Sequence, residues 1–147
     1  MIKQSISGRR RARALALQAL YQWLLTGYDL PEIEAQFRAV TNMDRVDVEY
    51  FCRLLYGVCK NITEIEEKLL PFLDRKIKEL NPVELSVLRL GAYELLFCLE
   101  IPYRVILNEA IALDKTFGSQ DGHRYINGVL NNLAQDVRSI EIDSSDG

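Results

Sequence analysis

The sequence predicts an all-α protein of two packed helical subdomains, each resembling a three-helix bundle. Apolar residues recur at the spacing of one helix face in every long segment. No stretch alternates apolar and polar residues between hairpin turns, as a half-buried strand would. The composition of 48% hydrophobic and 27% charged residues over 147 positions is that of a globular chain able to bury most of its apolar surface.

The first half, about residues 8–75, is predicted to contain three helices. Apolar residues at i, i+3, i+4 and i+7 define the first, and Gly27 supplies its stop. The second begins with Asp29 as a cap ahead of Pro31, which suits an early helical position. The three segments cover residues 8–25, a short stretch from Asp29, and a stretch from Asp44 or Asp47 that bends near Asn61 and ends at Pro71.

The second half, about residues 76–138, opens with the clearest helix start in the sequence. Asn81 can cap, Pro82 takes the first helical position, and Glu84 stands where a capping box has its glutamate. Apolar residues on nearly all sides predict that this helix is central. Helices are predicted at 83–99, 105–117 and 121–137, so that residues 1–138 form one domain, and residues 139–147 are expected to form an acidic, flexible tail.

Residues with catalytic or metal-binding chemistry are scarce. His123 is the single histidine, and the chain contains no Walker sequence, GxGxxG loop or GxSxG elbow. Near a helix start, this histidine is expected to be an exposed residue of a capping turn, because a catalytic role needs a positioned partner. We therefore expect no enzymatic activity, no metal and no cofactor.

Cysteine usage and hydropathy indicate a cytoplasmic protein without membrane contact. The three cysteines are odd in number, show no close CxxC spacing and lie in apolar runs, as reduced thiols of a core do. The amino end has no apolar signal region, and no later stretch reaches about 18 apolar residues without charges.

Positive charge is concentrated at the amino end of an otherwise acidic chain. Residues 1–13 hold five basic residues, Lys3 among them, and no acid, whereas the remainder has 13 basic and 21 acidic side chains. Arg9, Arg10, Arg11 and Arg13 lie at a helix start, where the helix dipole is also positive. A nucleic-acid phosphate backbone would offset this repulsion, which favours polyanion binding over the alternative of a solvated, solubilising cluster.

Two further groups of side chains are candidates for binding. Tyr21 lies opposite the centre of the first helix's apolar stripe, which fits either a protein contact or burial on a second side. Lys115, Arg124 and Tyr125 bracket the turn 118–122 and offer cations and an aromatic plane, as sites for unpaired RNA bases do. Tyr125 could instead be a residue at the core edge.

Short motifs that are individually weak occur in a fixed order between residues 9 and 133. They are Arg10-Arg11-Ala12-Arg13, Gln18-Ala19-Leu20-Tyr21-Gln22-Trp23, Val87-Leu88-Arg89-Leu90, Tyr93-Glu94-Leu95, Pro102-Tyr103-Arg104-Val105, Asn108-Glu109-Ala110-Ile111, Phe117-Gly118 and Asn127-Gly128-Val129-Leu130. Taken together, the chain resembles the NusB family.

The resemblance implies an all-helical, non-enzymatic adaptor without a cofactor. Members of this family bind the boxA segment of nascent RNA together with NusE, a small-subunit ribosomal protein. That complex joins RNA polymerase and other Nus factors and suppresses termination, notably during ribosomal RNA synthesis.

The resemblance also implies roles for individual residues. Arg9, Arg10, Arg11 and Arg13 match the family's basic RNA-binding start, and Tyr125, with Asp121 in the adjoining turn, matches positions linked to RNA. Tyr21 and Glu84 match the surface that meets NusE. The chain departs from the family at Gly122 and Asp114.

Two alternatives stay open at this point. A NusB-like domain can assist an enzyme that modifies ribosomal RNA, although no methyltransferase motif is present here. A structural homodimer could instead close on the apolar Tyr21 face.

Overall fold

A computed structural model describes residues 6–146, and Lys3 of the basic start therefore lies outside the described residues. Within that range every regular element is helical and no strand is present, which confirms the predicted all-α class. The α-helices are α1 (Ile6–Thr26), α2 (Leu30–Val40), α3 (Val48–Lys60), α4 (Ile62–Leu69), α5 (Pro82–Phe97), α6 (Tyr103–Phe117), α7 (Gly122–Val137) and α8 (Ser139–Asp146).

The first compact unit extends to Lys60 and is built on α1, which packs against α2 and α3. Its core side chains are fully or almost fully buried: Ala16, Leu20, Ile33, Phe51 and Leu55. α1 ends as predicted, because Gly27 adopts φ 69° and donates its N–H to the Trp23 carbonyl at 2.9 Å.

The second compact unit begins at Asn61 and is built on α5, which packs against α4, α6 and α7. Every residue of α5 from Glu84 to Leu95 is buried, so the prediction of a central helix is confirmed. The Asn81 side chain caps the helix by accepting the N–H of Val83 at 2.8 Å and that of Glu84 at 3.5 Å.

The carboxyl end of α5 is closed by Arg138, which the sequence pattern did not single out. Arg138 is 5% exposed, and its guanidinium donates to four backbone carbonyls at 2.8–3.2 Å. These belong to Glu94, Leu95, Cys98 and Ile101. The carbonyls at this helix end are thereby satisfied by a buried cation.

Two boundaries differ from the expectation. The units divide after Lys60, earlier than the boundary near residue 75, because α4 packs against α5. The expected flexible tail is helical as α8, where Ile142 is 7% exposed. Glu141 accepts hydrogen bonds from Arg138 at 2.5 Å and from the Tyr103 N–H at 2.9 Å. Burial of one apolar side chain and pairing of one acid hold a segment whose composition resembles a disordered tail.

Candidate functional site

The amino end of α1 is joined to the start of α3 within the first unit. The Arg9 guanidinium lies 4.5 Å from the centre of the Tyr50 ring, and its Nε is 3.6 Å from a carboxylate oxygen of Asp47. Asp47 is 5% exposed, accepts the Tyr50 N–H at 3.0 Å and donates its own N–H to the Gly8 carbonyl at 3.1 Å. Arg9 is therefore held in place, with about a third of its side chain exposed.

Arg13 is buried, and its expected place in an exposed cluster is corrected. It is 4% exposed, and its guanidinium lies 5.4 Å from the centre of the same Tyr50 ring. Residues four apart share one helix face, so Arg9 and Arg13 both point toward α3. Arg13 therefore has little surface with which to reach RNA directly, and one of its contacts is with the ring that also holds Arg9.

Arg10 and Arg11 occupy the remaining sides of the helix start, and both are exposed. No acidic residue lies in the first turn of α1. Two surface cations, with the partly exposed Arg9 beside them, therefore form a positively charged end suited to phosphate groups.

Tyr21 reaches the surface of the first unit near the carboxyl end of α1. It is 37% exposed and Leu25, one turn later, is 57% exposed, whereas Leu17, one turn earlier, is 2% exposed. On this face, exposed apolar surface therefore begins at Tyr21 and continues to Leu25. An exposed tyrosine beside an exposed leucine is typical of a protein contact.

In the second unit, four of the eight predicted RNA-binding residues lie at or beside the turn between α6 and α7. Lys115, Asp121 and Arg124 are exposed, and Tyr125 is half-buried. The Tyr125 hydroxyl accepts the Asp74 N–H at 3.4 Å. Burial raises the pKa of this hydroxyl, so the ring stays neutral.

Arg75 is a further cation at this turn that the sequence pattern did not reveal. Its guanidinium lies 4.5 Å from the centre of the Tyr125 ring, and its Nε donates to Asp74 at 2.7 Å. The basic pair Arg75-Lys76 in a segment between helices was the only available signal. The arrangement holds a cation against one face of the tyrosine.

Glu84 is buried, which corrects its expected place on a partner-binding surface. It is 8% exposed, and its carboxylate accepts the Ser119 hydroxyl at 3.3 Å. Asn81 makes its cap without the reciprocal bond, so the alternative of a capping-box glutamate is also wrong. Glu84 instead supports the 118–122 turn from beneath.

Asp114 lies beside Glu84 and is completely buried. A Cβ at Gly122 would overlap a Glu84 oxygen and lie 2.7 Å from an Asp114 oxygen, and one at Gly118 would overlap the Asp114 carboxyl group. Burial, with the neighbouring Glu84 charge, raises the pKa of Asp114, and His123 acts weakly in the opposite direction. The two glycines leave the space that the carboxyl groups occupy.

Between residues 6 and 146 no cluster of three or more His, Cys, Asp or Glu side chains is arranged to hold a metal ion. The described helices also include none that is both long and apolar enough to cross a membrane.

The family match and the relatives similar in sequence indicate the same family. Residues 10–135 match the NusB family. The chain is 65% identical over 142 residues to transcription antitermination protein NusB of Legionella pneumophila strain Corby, covering 97% of each chain. It is 54% identical over 134 residues to the protein of the same name from Pseudomonas savastanoi pv. phaseolicola strain 1448A, covering 91% of this chain and 81% of that one.

Solved structures show the same architecture. A crystal structure of antitermination factors NusB and NusE in complex with dsRNA superposes with a TM-score of 0.79 at 27% identity, covering 90% of this chain and 99% of the other. T. maritima NusB superposes with a TM-score of 0.75 at 30% identity, covering 86% of this chain and 90% of that one.

Proposed function

The chain belongs to the NusB family, and from that membership we propose that it is a transcription antitermination adaptor that binds boxA RNA together with NusE. In this role it joins RNA polymerase and other Nus factors and promotes transcription of ribosomal RNA. It acts in the cytoplasm, by binding and not by catalysis, and needs no cofactor.

The observation that carries the RNA-binding part of the proposal is the pair of exposed arginines at the start of α1. Arg10 and Arg11 are exposed, and no acid lies in their helical turn. A guanidinium can donate two parallel hydrogen bonds to a phosphate, and each neutralised phosphate releases counterions. Arg9, positioned by Tyr50 and Asp47, adds a third phosphate contact.

The 118–122 turn supplies a second RNA contact in this proposal. Lys115 and Arg124 bind phosphates, Asp121 accepts hydrogen bonds from base edges, and the Tyr125 ring, with Arg75 against it, stacks on an unpaired base. Phosphate contacts give affinity, whereas stacking and contacts to base edges give sequence preference.

NusE binds the exposed end of α1 in this proposal, with Tyr21 as the central contact. Glu84 makes no surface contact in this proposal, because it is buried and holds the 118–122 turn, the second RNA contact, through Ser119. Tyrosine suits such a surface because it buries a large apolar ring while its hydroxyl stays hydrated.

The test is the salt dependence of RNA binding by the double variant Arg10→Ala plus Arg11→Ala. Loss of two phosphate contacts should lower affinity for boxA RNA and reduce the slope of log K against log salt by up to about two. The matched control is Lys68→Ala plus Lys78→Ala, which removes two exposed cations elsewhere in the chain. An unchanged slope in the arginine variant would remove the start of α1 from the RNA-binding surface.

A further inference from the structure

A shallow groove of about 180 Å³ lies between α6 and α7 in the second unit. It runs away from the 118–122 turn, and none of its residues belongs to that turn or to the arginine-rich start of α1. Its lining consists of Tyr103, Arg104, Leu107, Asn108, Asn127 and Asn131.

Helical spacing makes this groove continuous with the 118–122 turn. On α6, Arg104, Asn108 and Lys115 are separated by four and seven residues and share one face. On α7, Arg124, Asn127 and Asn131 are separated by three and four residues and likewise share a face. Two polar stripes therefore lead from the cations of the turn to Arg104 at the start of α6.

The two stripes contain cations and amides but no carboxylate. The nearest acids of α6 lie on its other side, since Glu109 is 9% exposed and Asp114 is fully buried. Glu141, close to Tyr103, is occupied by Arg138 and the Tyr103 N–H. On a chain of net charge −3, a face with Arg104, Lys115 and Arg124 stays net positive even with the exposed Asp121 at its turn end, and it is complementary to a polyanion.

The asparagine amides are free to bind a ligand. In the described part of the chain, Asn108, Asn127 and Asn131 make no side-chain hydrogen bond. Each amide offers two N–H donors and one carbonyl acceptor, the groups that read the edges of unpaired bases. Gly128, with nothing within 4 Å of its Cβ direction, leaves the middle of this face open.

Arg104 is held at the far end of the groove. Its guanidinium lies 5.3 Å from the centre of the Tyr103 ring, and that ring is 6% exposed. A guanidinium fixed over a buried ring loses little freedom when it meets a phosphate, and its outer face remains able to stack on a base.

We propose that the α6–α7 groove is a third segment of the RNA-binding surface, in which Arg104 binds a backbone phosphate and Asn108, Asn127 and Asn131 contact the edges of one or two unpaired bases. The inference rests on the proposed RNA-binding function and extends it to residues that determine specificity. The RNA continues from Tyr125 along the hairpin toward Arg104.

The experiment uses the full chain, with labelled single-stranded boxA RNA and a scrambled RNA, across a salt series. Asn131→Ala should weaken boxA binding about three- to tenfold, the effect of one or two hydrogen bonds, and leave scrambled RNA unchanged. Its control is Asn132→Ala, at the adjacent exposed asparagine outside the stripe. This substitution should leave the affinity for both RNAs unchanged.

The phosphate contact is tested separately with Arg104→Gln. This variant should bind both RNAs more weakly and lower the slope of log K against log salt by about one. The control Lys68→Gln should change neither quantity. Circular dichroism and thermal unfolding of each variant confirm that the fold is intact before binding is compared.

The outcomes distinguish this inference from the proposed function. In one outcome, wild type prefers boxA RNA and the Arg10/Arg11 variant binds it weakly, while Asn131→Ala and Arg104→Gln bind RNA as their controls do. That result overturns the inference about the groove and leaves the proposed function standing. If wild type shows no preference for boxA, the proposed function itself fails. Weaker association with NusE and unchanged RNA binding in both groove variants would make the groove a protein contact and would also overturn the inference.

Discussion

The carboxyl group of Asp114 is fully buried, and neither of its oxygens accepts a hydrogen bond in the described part of the chain. An ionised carboxylate in that position would be strongly disfavoured, and the Glu84 carboxylate beside it adds to the penalty. Both effects raise the pKa of Asp114 in the folded protein.

This arrangement predicts a stability that depends on pH through Asp114. A raised pKa in the folded state means that folding favours the protonated acid, so the penalty is absent below about pH 4 and grows as the pH rises toward the folded-state pKa. Asp114→Asn cannot ionise. We expect its melting temperature at pH 7 to exceed that of wild type by about 2–4 °C, the equivalent of about 1 kcal/mol.

Thermal unfolding at pH 7 and pH 4 measures this difference. The advantage of the variant should shrink at pH 4, and the exposed-site control Asp136→Asn should show no such change between the two pH values. A less stable Asp114→Asn at pH 7 would mean that Asp114 is charged and paired in the folded protein.

The amino-terminal arginines show how far a candidate site can be predicted from residue types. A run of four arginines in five positions correctly indicated local positive charge, but the run alone predicts a single exposed cluster. Helix geometry divides it, since Arg13 lies beneath the surface on Tyr50 while Arg10 and Arg11 stay exposed. The Tyr50 partner comes from another helix, so the spacing on α1 alone could not reveal it.

At the scale of the helix, two glycines of similar appearance in the sequence have opposite packing. Gly128 on α7 has nothing within 4 Å of the position that a methyl group would take, whereas at Gly91 on α5 that position lies 2.6 Å from a Leu130 methyl carbon. Leu130 is completely buried and has little room to move. The first glycine weakens its helix, and the second permits close helix packing.

Alanine at each position should therefore shift stability in opposite directions. Gly128→Ala gains helix propensity and should stabilise the protein by about 0.5–1 kcal/mol. Gly91→Ala gains the same helix propensity, but overpacking of the core costs about 1–3 kcal/mol of stability. The net effect should therefore be destabilising. Urea unfolding of both variants measures the free energies. Equal effects of the two substitutions would contradict the packing described here.

Helix starts and stops were predicted best where local chemistry decides them. Asn81-Pro82 and Gly27 lie where the sequence pattern placed them, because a cap and a positive φ depend on neighbouring residues only. α8 was missed, because Ile142 and Glu141 are held by long-range contacts within the second unit. The division after Lys60 was missed for the same reason, since α4 follows α3 closely but packs on α5.

At the scale of the whole molecule, acidic residues outnumber basic ones, and three groups of exposed cations stand out as candidates for binding RNA. The chain carries a net negative charge, but cations are exposed at the start of α1, at the 118–122 turn and along the α6–α7 groove. An acidic body limits non-specific attraction to nucleic acid, whereas local cations still bind a particular RNA. The exposed Tyr21 end of α1 remains for a protein partner.

The most direct test of RNA binding together with NusE is a fluorescence-anisotropy titration of labelled boxA RNA and a scrambled RNA, with and without purified NusE, at two salt concentrations. We predict tighter binding to boxA than to the scrambled RNA, further strengthening of boxA binding by NusE, and weaker binding of both RNAs at the higher salt concentration. Equal and weak binding to both RNAs, unaffected by NusE, would contradict the proposed adaptor role.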